Sequence, residues 1–347
     1  MIQEILSAYD LDENQFEIVP INNGLINQTW RLKNSCDDYI LQKINHNIFK
    51  KPLAIASNLR MLSDYLLQNN AGYLFIVPIK TSTNEEMAFL PGKGYFRLSH
   101  FVKKSHTINA AQTPEQAFEA SKEFGKFTRL LSRFPVEKLQ ITLPDFHNLS
   151  LRYNQFLEAL ENGNKNRISQ SQELIRFIKE NKNIADIYES ILSNPEFRLR
   201  VTHHDTKISN VLFDEDDKGL CVIDLDTVMP GYFISDVGDM IRTYLSPVTE
   251  EEKDFSKIEI REDYFISIFK GYMSEMSTEL TEKEKKHFIY AGEFMIYMQA
   301  IRFLTDHLNN DIYYGAKYEN HNFIRAGNQA VLLQQLMEIE EKLTGLI

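Results

Sequence analysis

Apolar and polar positions alternate with a period of two through much of the first hundred residues, and with a period near 3.6 in most of the remaining chain. The period-two stretches predict strands at residues 16–20, up to Leu32, and at 38–45, 73–79, 86–90 and 95–102. Two helices accompany them. One is short and lies within residues 1–14, with Ile2, Ile5 and Leu6 on one face; the other covers 52–68, with Pro52 in its first turn and Leu53, Ile55, Ala56, Leu59, Leu62 and Leu66 at helical spacing. The texture changes at about Lys103. Thr113 is a candidate N-cap, Pro114 a first helical residue and Gln116 a capping-box partner for a helix over 114–131. Further helices are expected over 149–160, 170–192, 264–276, 282–308 and 321–343. Five or so antiparallel strands with one long helix, then a long helical run, predict an α+β chain with a small β-rich lobe over residues 1–102 and a larger, mostly helical lobe over 103–347.

Residues 201–227 break the helical run and carry the densest chemistry. His203, Asp205 and Asn210 stand in the pattern H-x-D-x-x-x-x-N, and Asp224 follows the apolar pair Val222 and Ile223. In phosphoryl transfer such an Asp accepts a hydroxyl proton, the Asn ligates magnesium, and an Asp on the next strand takes the second metal contact. Residues 211–213 and 221–223 read as a hairpin closed by the polar turn 214–219, which holds Asn210 and Asp224 near each other. Two oxygen ligands and nucleotide phosphates suit magnesium, which prefers hard oxygens. A chance match in a surface loop is the plain alternative, and the coupled apolar-Asp strand speaks against it. A metal-hydrolase reading of His203, His204 and Asp205 is weaker, because adjacent histidines point to opposite sides and no third ligand stands at a recognisable spacing.

Several other positions carry two readings. After a turn at 229–232, Asp236 and Asp239 stand near a helix start, where they serve either as caps or as holders of the 203–210 loop. Lys43 ends the third expected strand, the place from which a phosphate-contacting lysine would come, or is a solvated surface lysine. Arg302 and Asp306 are four apart on one helical face, the spacing of an ion pair.

Composition narrows the partners. With 347 residues, 43% of them hydrophobic and 25% charged, the chain has ordinary globular make-up and room for one large or two medium domains. The net charge of −11 argues against nucleic acid, whose phosphates call for clustered Lys and Arg; it fits a cationic substrate or plain solubility. Cys36 and Cys221 lack metal spacing, which points to a reducing compartment. No basic segment leads a long apolar run at the N-terminus and no run is long enough to span a bilayer, so a soluble cytoplasmic protein without a membrane partner is expected. Nothing in the pattern specifies an oligomeric state.

With Asp205, Asn210 and Asp224 behind a small β-rich lobe, the chain resembles the aminoglycoside phosphotransferase and choline kinase superfamily, which has the bilobal protein-kinase fold. The closer likeness is to bacterial N-acetylhexosamine 1-kinases. It is carried by residues 24–29 (GLINQT), 39–45 (YILQKIN), 204–214 (HDTKISNVLFD), 222–231 (VIDLDTVMPG) and 302–308 (RFLTDHL), with Asp311 and Tyr313. This resemblance implies ATP and magnesium as cofactors and a small-molecule sugar as substrate. Asp205 would be the base at the sugar hydroxyl, Asn210 and Asp224 the magnesium ligands, Lys207 a phosphate neighbour and Lys43 the N-lobe phosphate contact. Adenine would lie between the lobes against Leu212 and Ile223 and hydrogen-bond to the backbone near Phe101. Arg302 and Tyr313 match sugar-contacting positions with Asp306 in support, and Leu25 and Tyr244 would line an N-acetyl pocket.

The chain departs from the family pattern twice. Helix 52–68 contains no Glu to pair with the strand lysine, leaving Asp64 or no residue in that role, and the loop at Gly24 has one glycine where G-x-G-x-x-G would have three. The implied activity is phosphorylation of the anomeric hydroxyl of an N-acetylhexosamine to a sugar 1-phosphate. Kinases of choline, homoserine, methylthioribose or an aminoglycoside are alternatives of the same class, and a catalytically silent nucleotide- or sugar-binding protein is one of a different class.

Overall fold

A computed structural model describes residues 2–21, 26–35 and 37–347. Helix α1 (Ile2–Ser7) precedes strands β1 (Glu17–Ile21), β2 (Gln28–Lys33) and β3 (Tyr39–Lys43); α2 (Pro52–Asn69) separates these from β4 (Ala88–Leu90) and β5 (Gly94–His100). The five strands form one antiparallel sheet in the order β1-β2-β3-β5-β4. Alternation gives the sheet two distinct faces. Leu32, Leu41, Phe96 and Leu98 turn outward and close a small core with Ile5, Leu6 and Tyr9 of the α1 region. The other face looks toward the helical lobe. Residues 73–79, expected as a strand, make only one isolated bridge, Ile79 to Leu98. Pro78 cannot donate to a ladder there, and Tyr73 and Phe75 pack instead against the large core.

The second lobe contains α3 (Pro114–Leu130), α4 (Leu149–Asn162), α5 (Lys165–Gln170), α6 (Gln172–Glu180), α7 (Asn183–Leu192), α8 (Phe233–Tyr244), α9 (Glu262–Met276), α10 (Glu282–Lys286), α11 (Phe288–Leu308), α12 (His321–Glu338) and α13 (Glu340–Thr344). Between α7 and α8 run the short strands β6 (Arg200–Thr202), β7 (Val211–Phe213), β8 (Gly219–Val222) and β9 (Met229–Gly231). The nearly all-apolar α11 is the hub, packed against α8, α12 and α4. At its crossing with α8, Gly238 lets the backbones touch: a Cβ there would lie 2.2 Å from the Ala291 carbonyl oxygen.

Three expected long helices break without Pro or Gly, the 321–343 segment dividing at Ile339 between α12 and α13. The 170–192 segment divides at Asn181, whose side chain donates to the Phe177 carbonyl 2.9 Å away and offers the backbone a local alternative. The 282–308 segment divides at His287, whose Nδ1 is bonded to the Lys283 carbonyl at 2.8 Å. Residues 229–231, expected as a turn, form β9 and pair with β6, Val201 opposite Pro230. Glu284, the capping-box residue of α10, is fully buried and held bidentately by Arg200 of β6. Cys221 is a buried thiol in β8, and Cys36 lies outside the described residues. Among the described residues no helix is long and apolar enough to cross a membrane.

Candidate active site

The loop that leaves β6 is clasped by α8. Asp236 accepts the His203 N–H at 3.0 Å on one oxygen and the His204 N–H at 2.7 Å on the other. Asp239 accepts the Thr206 N–H at 2.9 Å and pairs through its second oxygen with Arg242, also at 2.9 Å. Thr206 Oγ1 donates to the Asp236 carbonyl, and the Tyr244 hydroxyl donates to the Thr206 carbonyl at 2.6 Å. The two carboxylates therefore hold the 203–206 loop across some thirty residues of sequence rather than only capping their own helix. Burial pushes the Asp236 carboxyl up to about 7 and raises that of Asp239.

Both histidines serve the scaffold. Burial lowers the pKa of His203, and one neutral tautomer satisfies both of its contacts: Nε2–H donates to the Ile223 carbonyl at 2.9 Å while Nδ1 accepts the Asp205 N–H at 3.3 Å. His204 turns the chain with a φ of 67° and reaches the Thr202 and Thr227 carbonyls through Nδ1, at 3.1 and 3.2 Å. Burial brings it down to about 4. Its ring fits because residue 231 is glycine, where a Cβ would stand 2.4 Å from His204 Nε2.

On this scaffold Asp205, Lys207, Asn210 and Asp224 come together. Burial works to raise the Asp205 carboxyl, but Lys207 Nζ, 3.0 Å from its Oδ1, outweighs this with help from His203 and Asn210, so the group sits below its ordinary value. The Asp205 carboxylate in turn raises Lys207. Asn210 Nδ2 donates to the Asp205 carbonyl at 2.8 Å, and the Asn210 carbonyl accepts the Ile223 N–H at 2.8 Å, which makes Asp224 the next residue along the hairpin. Asp224 adopts a left-handed φ of 57° and opens on the cleft. The protein crowded around it, then the Asp226 and Asp205 charges, push its carboxyl up to about 7. A carboxyl held up by like charges is one that a cation relieves, and an amide oxygen with a carboxylate oxygen is a donor set that suits magnesium. Among the described residues there is no group of three or more His, Cys, Asp or Glu able to hold a metal by itself. Leu212 and Ile223 are the half-exposed residues of the hairpin on the side of Asn210, while Val211 and Val222 are buried in the core.

The sheet places Lys43 and Arg97 on opposite faces. Lys43 shares the outer face with Leu41 and Phe96, its Nζ 6.0 Å from the Phe96 ring. Gln42 and its register partner Arg97 occupy the cleft face. Arg97 Nε donates to Gln42 Oε1 at 2.9 Å, and its Nη1 is ion-paired with Asp226, both side chains almost fully buried. The other Asp226 oxygen accepts from Asn27 Nδ2 at 2.7 Å. Asp64 is exposed on α2 and forms no ion pair with Lys43. The Phe101 N–H is bonded to the Asp38 carbonyl at 2.9 Å, and the Phe101 ring carries the Arg31 guanidinium at 3.7 Å.

The acceptor candidates are spread over α11 and the loop after it. Arg302 does not pair with Asp306; its Nη1 donates to Gln299 Oε1 at 3.0 Å, and its guanidinium lies 5.8 Å from the Phe146 ring and 5.5 Å from that of Tyr314. Asp306 is buried and accepts the Tyr313 and Tyr314 N–H groups at 2.7 and 2.9 Å, shaping the loop. Tyr313 is 72% exposed, so Tyr314 rather than Tyr313 packs beside Arg302. Tyr244 is fully buried beneath the Thr206 turn, away from the cleft surface. Leu25 and Gly24 lie outside the described residues. Sequence reasoning did not reach Arg97, Asp226, Phe146, Arg152 or Tyr314. Only the charge of Arg97 within an alternating strand, and the second Asp of the Val222–Asp226 run, would have drawn notice.

Residues 17–257 match the model of the Phosphotransferase enzyme family. The fold is shared with solved structures of low identity. An aminoglycoside phosphotransferase from Alicyclobacillus acidocaldarius is 12% identical over 99% of this chain and 96% of its own, with a TM-score of 0.66. A microcompartment-associated aminopropanol kinase is 14% identical over 99% and 97%, with a TM-score of 0.63. A spectinomycin phosphotransferase, solved with ADP and spectinomycin, is 14% identical over 98% of both chains, with a TM-score of 0.59.

Proposed function

This chain belongs to the Phosphotransferase enzyme family, and within it we propose that it transfers the γ-phosphoryl group of ATP to a hydroxyl of a small molecule, the anomeric hydroxyl of an N-acetylhexosamine. The observation that carries the reading is the joining of Asp205, Lys207, Asn210 and Asp224 on one loop and hairpin clasped by α8.

The acceptor hydroxyl is placed at Asp205, whose carboxylate Lys207 keeps ionised and ready to take the proton. Lys207 then faces the charge that develops on the transferred group. Asn210 and Asp224 hold magnesium, which supplies charge neutralisation on the phosphates when bound. Adenine sits between the sheet and the Leu212 and Ile223 side of the hairpin. Most of the rate comes from fixed placement, since a loosely bonded phosphoryl transition state asks for little covalent help.

Arg152 and Arg302 favour a neutral, oxygen-rich acceptor over a cationic one. The two guanidiniums are near enough that Arg302, after burial, lowers the pKa of Arg152, and neither forms an ion pair among the described residues. Phe146 and Tyr314 add aromatic faces beside Arg302. A quaternary ammonium or polyamine would meet repulsion here, whereas sugar hydroxyls and an amide carbonyl find donors. The test is ADP release with magnesium-ATP against N-acetylglucosamine, N-acetylgalactosamine, plain hexoses, choline, aminopropanol and an aminoglycoside, with products identified by mass and phosphorus NMR. A sugar 1-phosphate is expected. Turnover of only the cationic alcohols would overturn the sugar assignment, and absence of both ADP release and nucleotide binding would overturn the kinase reading.

A further inference from the structure

The cleft face of the sheet poses a question of charge. A phosphate-gripping cation is needed from this side, yet Lys43 projects to the outer face beside Leu41 and Phe96. Helix α2 offers no carboxylate partner either. Its Arg60 is turned to Glu86 at 2.9 Å, and its Asn58 donates to the Gln140 and Val228 carbonyls at 2.8 and 3.1 Å. At the equivalent depth on the cleft face stands Arg97, fixed at Nε by Gln42 and at Nη1 by Asp226.

We propose that Arg97 is the sheet cation that contacts the nucleotide phosphates, and that Asp226 anchors it in the role a helix carboxylate would otherwise fill. The inference rests on the proposed nucleotide-kinase function. A guanidinium presents its donors in a rigid fork, so it can be held at two corners and still present a third; the second Nη of Arg97 has no hydrogen bond among the described residues. Asp226 lies two residues beyond Asp224, so the sheet cation and the proposed metal ligand are fixed to one loop. Asn27 completes the tie: its Nδ2 donates to Asp226, and its Oδ1 accepts the Asn45 N–H at 3.0 Å, joining the end of β3 to the same loop. An α2 without Glu is then no defect, because the anchoring acid comes from the other lobe and α2 steadies that loop through the neutral Asn58 bond to Val228.

The test compares affinities for magnesium-ATP, magnesium-ADP and adenosine in the wild type, R97M, R97K and K43A, with thermal unfolding of each. Removing a charge-assisted phosphate contact costs about 10- to 100-fold in affinity. R97M should lose that much for ATP and ADP while adenosine binding stays within threefold, R97K should recover part of the loss, and K43A should leave all three within threefold. If R97M fails to fold because Asp226 is left buried alone, the double variant R97M/D226N removes the pair together and should show the same phosphate-selective loss. Unchanged ATP affinity in R97M or the double variant would overturn the proposal. So would an equal loss of adenosine binding, the mark of a structural brace, or a phosphate-selective loss in K43A. A wild type that binds none of the three ligands would overturn the kinase reading itself.

Discussion

Gly231→Ala tests the scaffold beneath Asp205 without touching any reacting group. The added Cβ would stand 2.4 Å from His204 Nε2 and 2.7 Å from Cε1, against an ordinary contact near 3.4 Å, so the ring must retreat by about 1 Å. His204 cannot yield freely, because Nδ1 is bonded to the Thr202 and Thr227 carbonyls and its N–H is held by Asp236. Overpacking of this kind costs about 1–3 kcal/mol, and loss of a ring hydrogen bond adds about 1 kcal/mol. Gly231 has no positive φ, so reduced freedom of the unfolded chain returns about 0.4–1 kcal/mol. The net is about 2–3 kcal/mol, a fall in Tm of roughly 5–10 °C at about 2–4 °C per kcal/mol. A displacement of about 1 Å at the residue before Asp205 should lower kcat by about 10²-fold. The nucleotide Kd should stay within threefold, since the Leu212 and Ile223 side is not pushed. Thermal unfolding, kcat and nucleotide affinity are the assays. A variant with wild-type kcat and a Tm within 2 °C would refute the view that the β6–β9 contact sets the loop.

Two further perturbations concern buried charge. Arg200→Met leaves fully buried Glu284 without its bidentate partner and should cost about 3–5 kcal/mol in urea unfolding; adding Glu284→Gln should recover part of the loss, and equal stability of single and double variants would contradict this. Asp236 has its carboxyl raised from 3.8 to about 7, so the stability it lends is complete below the lower value and is lost as pH rises through the upper one. Between pH 6 and pH 8 this removes about 1.4 kcal/mol from the ligand-free wild type that Asp236→Asn does not lose. Parallel stability curves for the two proteins would count against the assignment.

What could be read from the chain was local. The 203–210 pattern and the hairpin behind it depend on neighbours in sequence, and the structure keeps Asn210 beside Ile223 as the turn composition requires. Choices made by distant packing were not legible. Whether Gln42 or Lys43 faces the cleft is decided by Leu41, which turns to the α1 side to close the small core. Asp236 and Asp239 fit helix-start positions equally well as caps, and only the fold brings the 203–206 backbone against them. The loop after α11 has no periodicity to show that Tyr314 turns in and Tyr313 out, because that is fixed by Asp306 gripping both amides. The breaks at Asn181 and His287 come from side chains bonded to nearby carbonyls, with no Pro or Gly to mark them.

The most direct measurement is ADP release by wild type and Asp205→Asn with magnesium-ATP and the best acceptor of the substrate panel, alongside ATP affinity for both. The account predicts a loss of turnover of about 10²-fold or more with ATP affinity nearly unchanged, because in the proposed role Asp205 takes the hydroxyl proton and does not grip the nucleotide. Near-wild-type turnover in Asp205→Asn would contradict it.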